Sequence, residues 1–446
     1  MTEGRVNTVT ANESASRAPG AGRIMVASLV GTTIEFYDFY IYGTAAALVL
    51  GRMFFPHGAS ETQSLAAFAT FGIAFLARPL GAMLFGHFGD RVGRKSTLVV
   101  SLMTMGLSTT LIGALPSYAS AGIMAPILLC ILRLGQGIGL GGEWGGAALI
   151  ATENAPSRRS AWFGMFPQLG PAFGFLLSNG LFLLLFFFLT DAQFLAWGWR
   201  IPFLASAVLV AIGLFVRQTL PETPAFARLV SGGERVRVPL REVLRHHGKP
   251  LILGSLAMVV CYAIFYISTV FALGYGTRVG HIPRTVFLEL LCIAILAMAA
   301  VTPVSALLAD RFGCRPVLLA GAALAALSGL AMQPLLSTGS AGDALVFLVM
   351  ELGLMGLVFA PMGAFLPALF PANVRYTGAS MAYNLGGILG GSFAPFAAQL
   401  LLTHGGLARV GLYISGAGVL SFVALAAIDA APAPAAQLAG SKRNFL

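Results

Sequence analysis

Gly89 to Lys95 read GDRVGRK, and Asp310 to Arg315 read DRFGCR. The two aspartates, Asp90 and Asp310, stand 220 positions apart in a chain of 446. Each copy is a short charged turn set between two long apolar runs. A soluble protein has no use for a basic turn repeated between apolar segments half a chain apart. A carrier built from two similar halves does. The expected fold is an all-α membrane protein of two pseudo-symmetric bundles.

Composition agrees. The chain is 57% hydrophobic and 10% charged, against roughly 25% charged residues in soluble domains. Its net charge of +10 raises the possibility of nucleic acid, but the charges lie in one set of loops, as counted below. Of the four cysteines, Cys130, Cys261 and Cys292 fall in apolar runs, and with Cys314 they show no metal or disulfide spacing. All six histidines lie in or beside loops. There is no nucleophile–base constellation and no phosphate-cradling motif, so neither an enzyme nor a bound cofactor or metal is expected.

A spanning helix needs about 20 apolar residues. Twelve such runs begin near Ile24, Thr62, Ser96, Ala121, Ala161, Trp199, Leu251, Thr285, Pro316, Gly342, Thr377 and Leu407. Helix is expected throughout, because lipid leaves unpaired backbone groups unsatisfied, and the runs lack the period-two alternation of a barrel. The expected organisation is a tail over 1–23, a six-helix bundle over 24–216, a central loop over 217–250, a second bundle over 251–429 and a tail over 430–446. The first apolar run is too long and too acidic for a signal segment. The connections on one side of the membrane, including both tails and the central loop, hold 20 Lys and Arg, and the other side holds Arg52, Arg278, Arg284 and Arg409. Both termini are therefore expected in the cytoplasm. The basic excess is a topology signal, and no nucleic-acid partner is expected.

The first span reads GTTIEFYDFYIYG, Gly31 to Gly43. Glu35 and Asp38 share a helix face, continued by Tyr42. An acid buried in the membrane costs about 2.5–3.5 kcal/mol on insertion scales. Two on one face must meet water, a cation or a partner, and a carboxylate facing a cavity is the simplest proton carrier. A static ion pair holding helices together is the alternative. The fourth span reads RLGQGIGLGGEWGG, Arg133 to Gly146, placing Arg133, Gln136 and Glu143 on one stripe. Arg133 stays charged and needs an anion. At 1.5 Å per residue, Asp38 and Arg133 both lie ~22 Å from the cytoplasmic side, so an Asp38–Arg133 pair is expected, with Glu35 one turn lower. Proton coupling is assigned to Asp38, Glu35 and Arg133. Arg78, Tyr42, Gln136, Gln168, Asn179, Tyr262, Tyr266, Glu351, Tyr383 and Asn384 are candidates for the substrate cavity. Gly86, Asp90, Arg91, Gly93 and Arg94, with Glu143 and the second copy at Asp310, Arg311 and Gly313, are candidates for a gate that exchanges partners during transport.

Further motifs carry a resemblance. RxxQG in the fourth span, LPETPAF at Leu220 to Phe226 and FPANVRYTG at Phe370 to Gly378 accompany the charged turns. Together they resemble the major facilitator superfamily. EFYDF in the first span, GGEWGG in the fourth and GWRIPF at Gly198 to Phe203 are similar to the metabolite–proton symporter family of permeases for shikimate, 2-oxoglutarate, citrate and proline or betaine. The second charged turn departs from the pattern at Cys314 and Pro316, where basic residues often stand. The resemblance implies proton-driven uptake of a small metabolite across a bacterial inner membrane by a monomer, with the proton gradient in place of a cofactor. Two other readings stand beside it. Gly170-Pro171 with Gly174 partly matches the antiporter signature GPxxGG, which favours a proton-driven exporter. A transporter-like nutrient sensor is the other, and it lacks the long signalling loop or tail that sensors add.

Overall fold

A computed structural model describes residues 21–57, 60–92, 94–156, 158–218, 239–372 and 374–428. The described residues are helical and contain no strand. Six long helical segments make the first bundle: α1 (Ala21–Ala45, extended by a π-helical turn, Ala46–Leu50), α2 (Ser60–Val92), α3 (Arg94–Ala114), α4 (Met124–Glu153), α5 (Ser160–Phe188) and α6 (Ile201–Gln218). The second bundle begins with α7 (Gly248–Arg278), α8 (Arg284–Phe312), α9 (Cys314–Leu336) and α10 (Ala341–Ala368). A last helical run, Arg375–Ala427, is broken by non-helical backbone at Gly405 and Gly406. The break gives α11 (375–404) and α12 (407–427). Each span starts within about three residues of the apolar run that announces it, because lipid penalises any backbone that leaves the helix.

Two elements differ from expectation. The charged turns are almost wholly helical. α2 continues to Val92 and α3 resumes at Arg94; α8 continues to Phe312, and Gly313 alone reverses the chain at φ +96°. A backbone in that region favours glycine. The central loop also holds a short helix, Pro239–His246. Its Val243 is fully buried, and the helix packs on α7 and α11. Residues 219–238 of that loop, the N-terminal tail to residue 20 and the C-terminal tail from 429 lie outside the described residues.

Apolar residues face out as well as in. Leu76, Leu80 and Leu84 repeat every four residues on α2 and remain exposed, as do Leu204, Val208 and Ile212 on α6. These stripes fit lipid. Several hydroxyls in the spans are satisfied by their own helix: Thr32 donates to Ser28 O, Thr109 to Met105 O and Thr302 to Met298 O. Such back-bonding is the usual resolution for a hydroxyl where water is absent.

Within the first bundle α1 packs on α5, α2 on α4, and α3 on α4 and α6. In the second, α8 packs on α10, α7 on α11, and α9 on α12. The bundles meet along α5–α8 and α2–α11. The π turn of α1 starts at Ala46 and that of α7 at Ile267. Their separation nearly equals the Asp90–Asp310 spacing, so both halves open their helix at the equivalent place. π turns of this kind occur often at functional sites.

Candidate functional site

The centre of the molecule, where the bundles meet, is aromatic and cationic. α1 supplies Phe39, Tyr40 and Tyr42; α2 supplies Phe71, Phe75 and Arg78; α7 supplies Tyr262 and Tyr266; α11 supplies Tyr383. All are buried, with Arg78 and Tyr266 each 1% exposed and Arg133 0% exposed. Tyr266 makes edge contacts with Phe39, Phe71 and Phe75 across the bundle interface.

Arg133 is fully committed. Its Nε donates to Thr70 O at 3.4 Å and its Nη2 to Phe71 O at 3.1 Å. Its Nη1 donates to Gln136 Oε1, and its Cζ stands 3.7 Å from the centre of the Tyr42 ring. Gln136 continues the chain of contacts. Its Nε2 donates to Asp38 O at 2.7 Å and to Thr109 Oγ1 at 2.9 Å. The Tyr42 hydroxyl lies 2.5 Å from Thr70 Oγ1.

Asp38 is fully buried. One carboxylate oxygen, Oδ1, accepts from the Ser206 hydroxyl of α6, and Oδ2 has no hydrogen-bond partner among the described residues. The expected Asp38–Arg133 ion pair is not formed among the described residues. The carboxylate turns toward α6, and Gln136 links Arg133 to the Asp38 backbone instead. Glu35 is also buried and acts electrostatically on Tyr40 and Tyr383.

Arg78 has a different environment. The Phe39 and Phe75 rings cover its guanidinium at 4.3 and 4.1 Å from its Cζ. Its Nε and Nη2 have no hydrogen-bond acceptor among the described residues, and neither does the Tyr262 hydroxyl have a partner. Arg78 acts electrostatically on Tyr262, Tyr266 and Tyr383, and the Tyr266 hydroxyl also stands within its side-chain hydrogen-bonding reach.

The remaining cavity candidates separate. Gln168 is a clasp: its Nε2 donates to Phe359 O of α10 at 2.9 Å, and its Oε1 accepts from Trp144 Nε1 at 2.8 Å. Trp144 stacks on Tyr383 at 4.1 Å. Asn384 donates to Gly141 O at 3.0 Å, also between bundles. Asn179 ties α5 to α1 by accepting from Thr44 at 2.9 Å. Glu351 is buried beside the Ser328 hydroxyl of α9, and neither of its carboxylate oxygens makes a hydrogen bond within 3.5 Å among the described residues. Helical spacing shows that such residues are buried but not which neighbour they meet.

The second charged turn carries a cross-bundle bond. Asp310 of α8 accepts from the backbone N–H of Ala161 at 2.9 Å and of Trp162 at 3.1 Å, at the start of α5. A carboxylate there satisfies two otherwise unpaired amides and faces the positive end of the helix dipole. Arg311 stacks on Phe312, and Glu143 accepts from Ser101 of α3 at 2.9 Å. Gly93 lies outside the described residues, and so do the side chains of Asp90, Arg91 and Arg94; at Gly86 only the helical backbone is described. On the opposite face Arg284 of α8 pairs with Asp191, and near the centre Ser392 of α11 donates to Gly72 O of α2 at 3.3 Å. Among the described residues each face carries a cross-bundle contact and the centre between them is buried.

The Asp310 contact gives a first prediction. Asp310→Asn keeps the side-chain shape but removes the charge and one of the two amide acceptors. Cysteine-accessibility labelling of the half of the centre nearest Asp310 should then rise by about fivefold, as expected for loss of about 1 kcal/mol. Unchanged labelling would leave Asp310 as a local cap only.

Ser206, Thr109, Phe39, Phe75 and Trp144 are absent from the sequence-derived site. A serine in an apolar span and two phenylalanines carry no signal of their own. Trp144 stands within GGEWGG, which marks a family rather than a contact.

Comparison with known proteins gives the relatives of this chain. The family model described as "Sugar (and other) transporter" matches residues 24–246 and 238–428. The "Inner membrane metabolite transport protein YhjE" of Escherichia coli (strain K12) is 51% identical over 408 residues, covering 90% of this chain and 93% of that protein. The "Shikimate transporter" of the same organism is 40% identical, with the same coverage. A "Proline/betaine transporter" of Salmonella typhimurium is 32% identical over 90% of this chain and 82% of its own length. Among solved structures, the proton:xylose symporter XylE bound to 6-bromo-6-deoxy-D-glucose superposes with TM-score 0.73 at 17% identity, over 90% of this chain and 94% of that one. That likeness concerns the fold.

Proposed function

We propose that this chain, which belongs to the sugar (and other) transporter family of the major facilitator superfamily, is a proton-coupled importer of a small carboxylate-bearing metabolite. It is a multi-pass membrane transporter rather than an enzyme. The finer reading rests on one observation above all: Asp38 is buried at the closed centre with one oxygen unpartnered, so a titratable group sits where access alternates. The relatives' substrates favour a carboxylate. Shikimate, proline and betaine each carry one, and the centre here holds two buried arginines within an aromatic wall.

In this mechanism the proton binds Asp38 from the side opposite the termini, and the metabolite enters the aromatic centre. The bundles rock through the occluded state, and the Asp310 bond to α5 gives way. Proton and metabolite leave together. Arg133 holds Tyr42, Gln136 and the α2 backbone in register, so Gln136 reports on Asp38 through its backbone. One chain supplies both bundles, which makes the site complete in a monomer. The setting is the bacterial inner membrane with both termini cytoplasmic.

The test is uptake of labelled shikimate, proline and betaine into proteoliposomes under an imposed pH gradient. Accumulation of one of them with the inside alkaline supports the reading; uptake indifferent to the gradient rejects the coupling. Topology has its own test. A cysteine placed at Ser231 should resist an impermeant thiol reagent in intact cells and react after the membrane is opened. Labelling in intact cells would reverse the orientation.

A further inference from the structure

We infer that Arg78 is the residue that takes the carboxylate of the transported metabolite, through the paired Nε–H and Nη2–H edge of its guanidinium, with the Tyr262 hydroxyl as a further donor. The inference rests on the reading that the metabolite bears a carboxylate, and it names the residue and the geometry that recognise it.

A guanidinium has two faces and two forked edges. The Phe39 and Phe75 rings, 5.1 Å apart, pack side by side against the Arg78 guanidinium at 4.3 and 4.1 Å from Cζ. The edge carrying Nε and Nη2 has no acceptor among the described residues. Their N–H bonds run parallel at the spacing of the two oxygens of a carboxylate, which is the bidentate geometry arginine favours. Arg78 is 1% exposed, so bulk solvent does not reach the edge. Buried donors without partners are rare in folded proteins, and each calls for an explanation.

Arg133 provides the internal contrast. It is equally buried, yet its Nε, Nη1 and Nη2 donate to Thr70, Gln136 and Phe71. The chain is therefore able to engage every nitrogen of a buried arginine, and at Arg78 it leaves open an edge suited to a planar anion. Tyr262 lies within the electrostatic reach of Arg78, and its hydroxyl, which stands beside that of Tyr383, makes no hydrogen bond within 3.5 Å among the described residues. Arg78 belongs to the first bundle and Tyr262 to the second. A carboxylate held by both joins the bundles and favours the occluded state. The surrounding rings, Phe75, Tyr266 and Tyr383, suit a compact body that is apolar or bears a single cation. A metabolite with one carboxylate fits this centre; a second carboxylate would have to face the ring wall.

Isothermal titration of the purified full-length chain tests this, using shikimate, L-proline and glycine betaine, each beside its carboxamide. At least one acid should bind, and its carboxamide should bind about 30-fold more weakly, the loss expected for a charge-assisted hydrogen-bond pair. Arg78→Lys keeps the charge but loses the fork, and should weaken that acid at least about tenfold. Arg78→Met should abolish binding and raise the melting temperature of the ligand-free protein by about 2 °C or more, because it removes an unpaired buried charge. The sign is diagnostic, since an arginine serving as a structural tie would lower the melting temperature when removed. The proposal is overturned if no acid binds, if acid and carboxamide bind alike, if Arg78→Lys binds as the parent does, or if Arg78→Met melts lower or fails to fold. None of these readouts needs a proton gradient. A chain that binds acids through Arg78 but moves no protons would defeat the symport reading and leave this inference standing.

Discussion

Asp38→Asn should abolish gradient-driven accumulation of the metabolite while leaving exchange of metabolite across the membrane in place. Asparagine keeps the size of the side chain, and its Oδ1 still accepts from Ser206. It neither binds nor releases a proton. The backbone carbonyl that receives Gln136 is untouched, so the Arg133–Gln136 arrangement persists and the bundles still rock with substrate aboard. With one proton per metabolite, a gradient of one pH unit supports about tenfold accumulation. The variant should accumulate none, reaching equal concentrations on the two sides. Counterflow in preloaded vesicles should persist. Accumulation by Asp38→Asn at the parental level would move the proton to Glu35, one helical turn toward the termini.

The second large effect concerns packing. Gly137→Val should reduce folded protein in the membrane by an order of magnitude or more, as loss of at least about 1.4 kcal/mol implies. A Cβ at Gly137 would strike the backbone carbonyl of Ala74, and one at Gly141 that of Arg78. Four residues apart, the two glycines bring the α4 backbone directly against α2, as small residues do in membranes. The same contact lets Arg133 of α4 reach the Thr70 and Phe71 carbonyls. Separating the helices breaks packing and hydrogen bonds together and leaves a buried charge alone. A Cβ at Gly180 would meet nothing within 4 Å, so Gly180→Val serves as the control and should express normally. Equal expression of the two variants, read by fluorescence-detected size exclusion, would mean that the α2–α4 contact is looser than the structure has it.

The architecture was readable because lipid leaves the chain few options. A stretch without charges must be a helix, and the position of basic loops then orders the spans. The site was readable only in part. The rise per residue gives the height of Asp38 and Arg133 but not the direction each faces, so residues at one level were expected to touch. In the structure Ser206 takes the carboxylate and Gln136 stands between. The clasp at Asp310 was invisible for another reason: its partners are the backbone amides of Ala161 and Trp162, and nearly every residue has an amide. Phe39 and Phe75 resemble any other core residue until the fold lays them over Arg78. Buried polar positions were found correctly, then, while their partners depended on helix rotation, which a sequence of uniformly apolar spans encodes weakly.

The central claim is that metabolite and proton cross together in the same direction. It is tested most directly by a pH-sensitive dye trapped inside proteoliposomes, with metabolite added outside and no imposed gradient. The account predicts that the lumen acidifies on addition of the transported acid or zwitterion, that a protonophore abolishes the change, and that Asp38→Asn shows none. Alkalinisation of the lumen on addition, or uptake of labelled metabolite with no pH change, would contradict it.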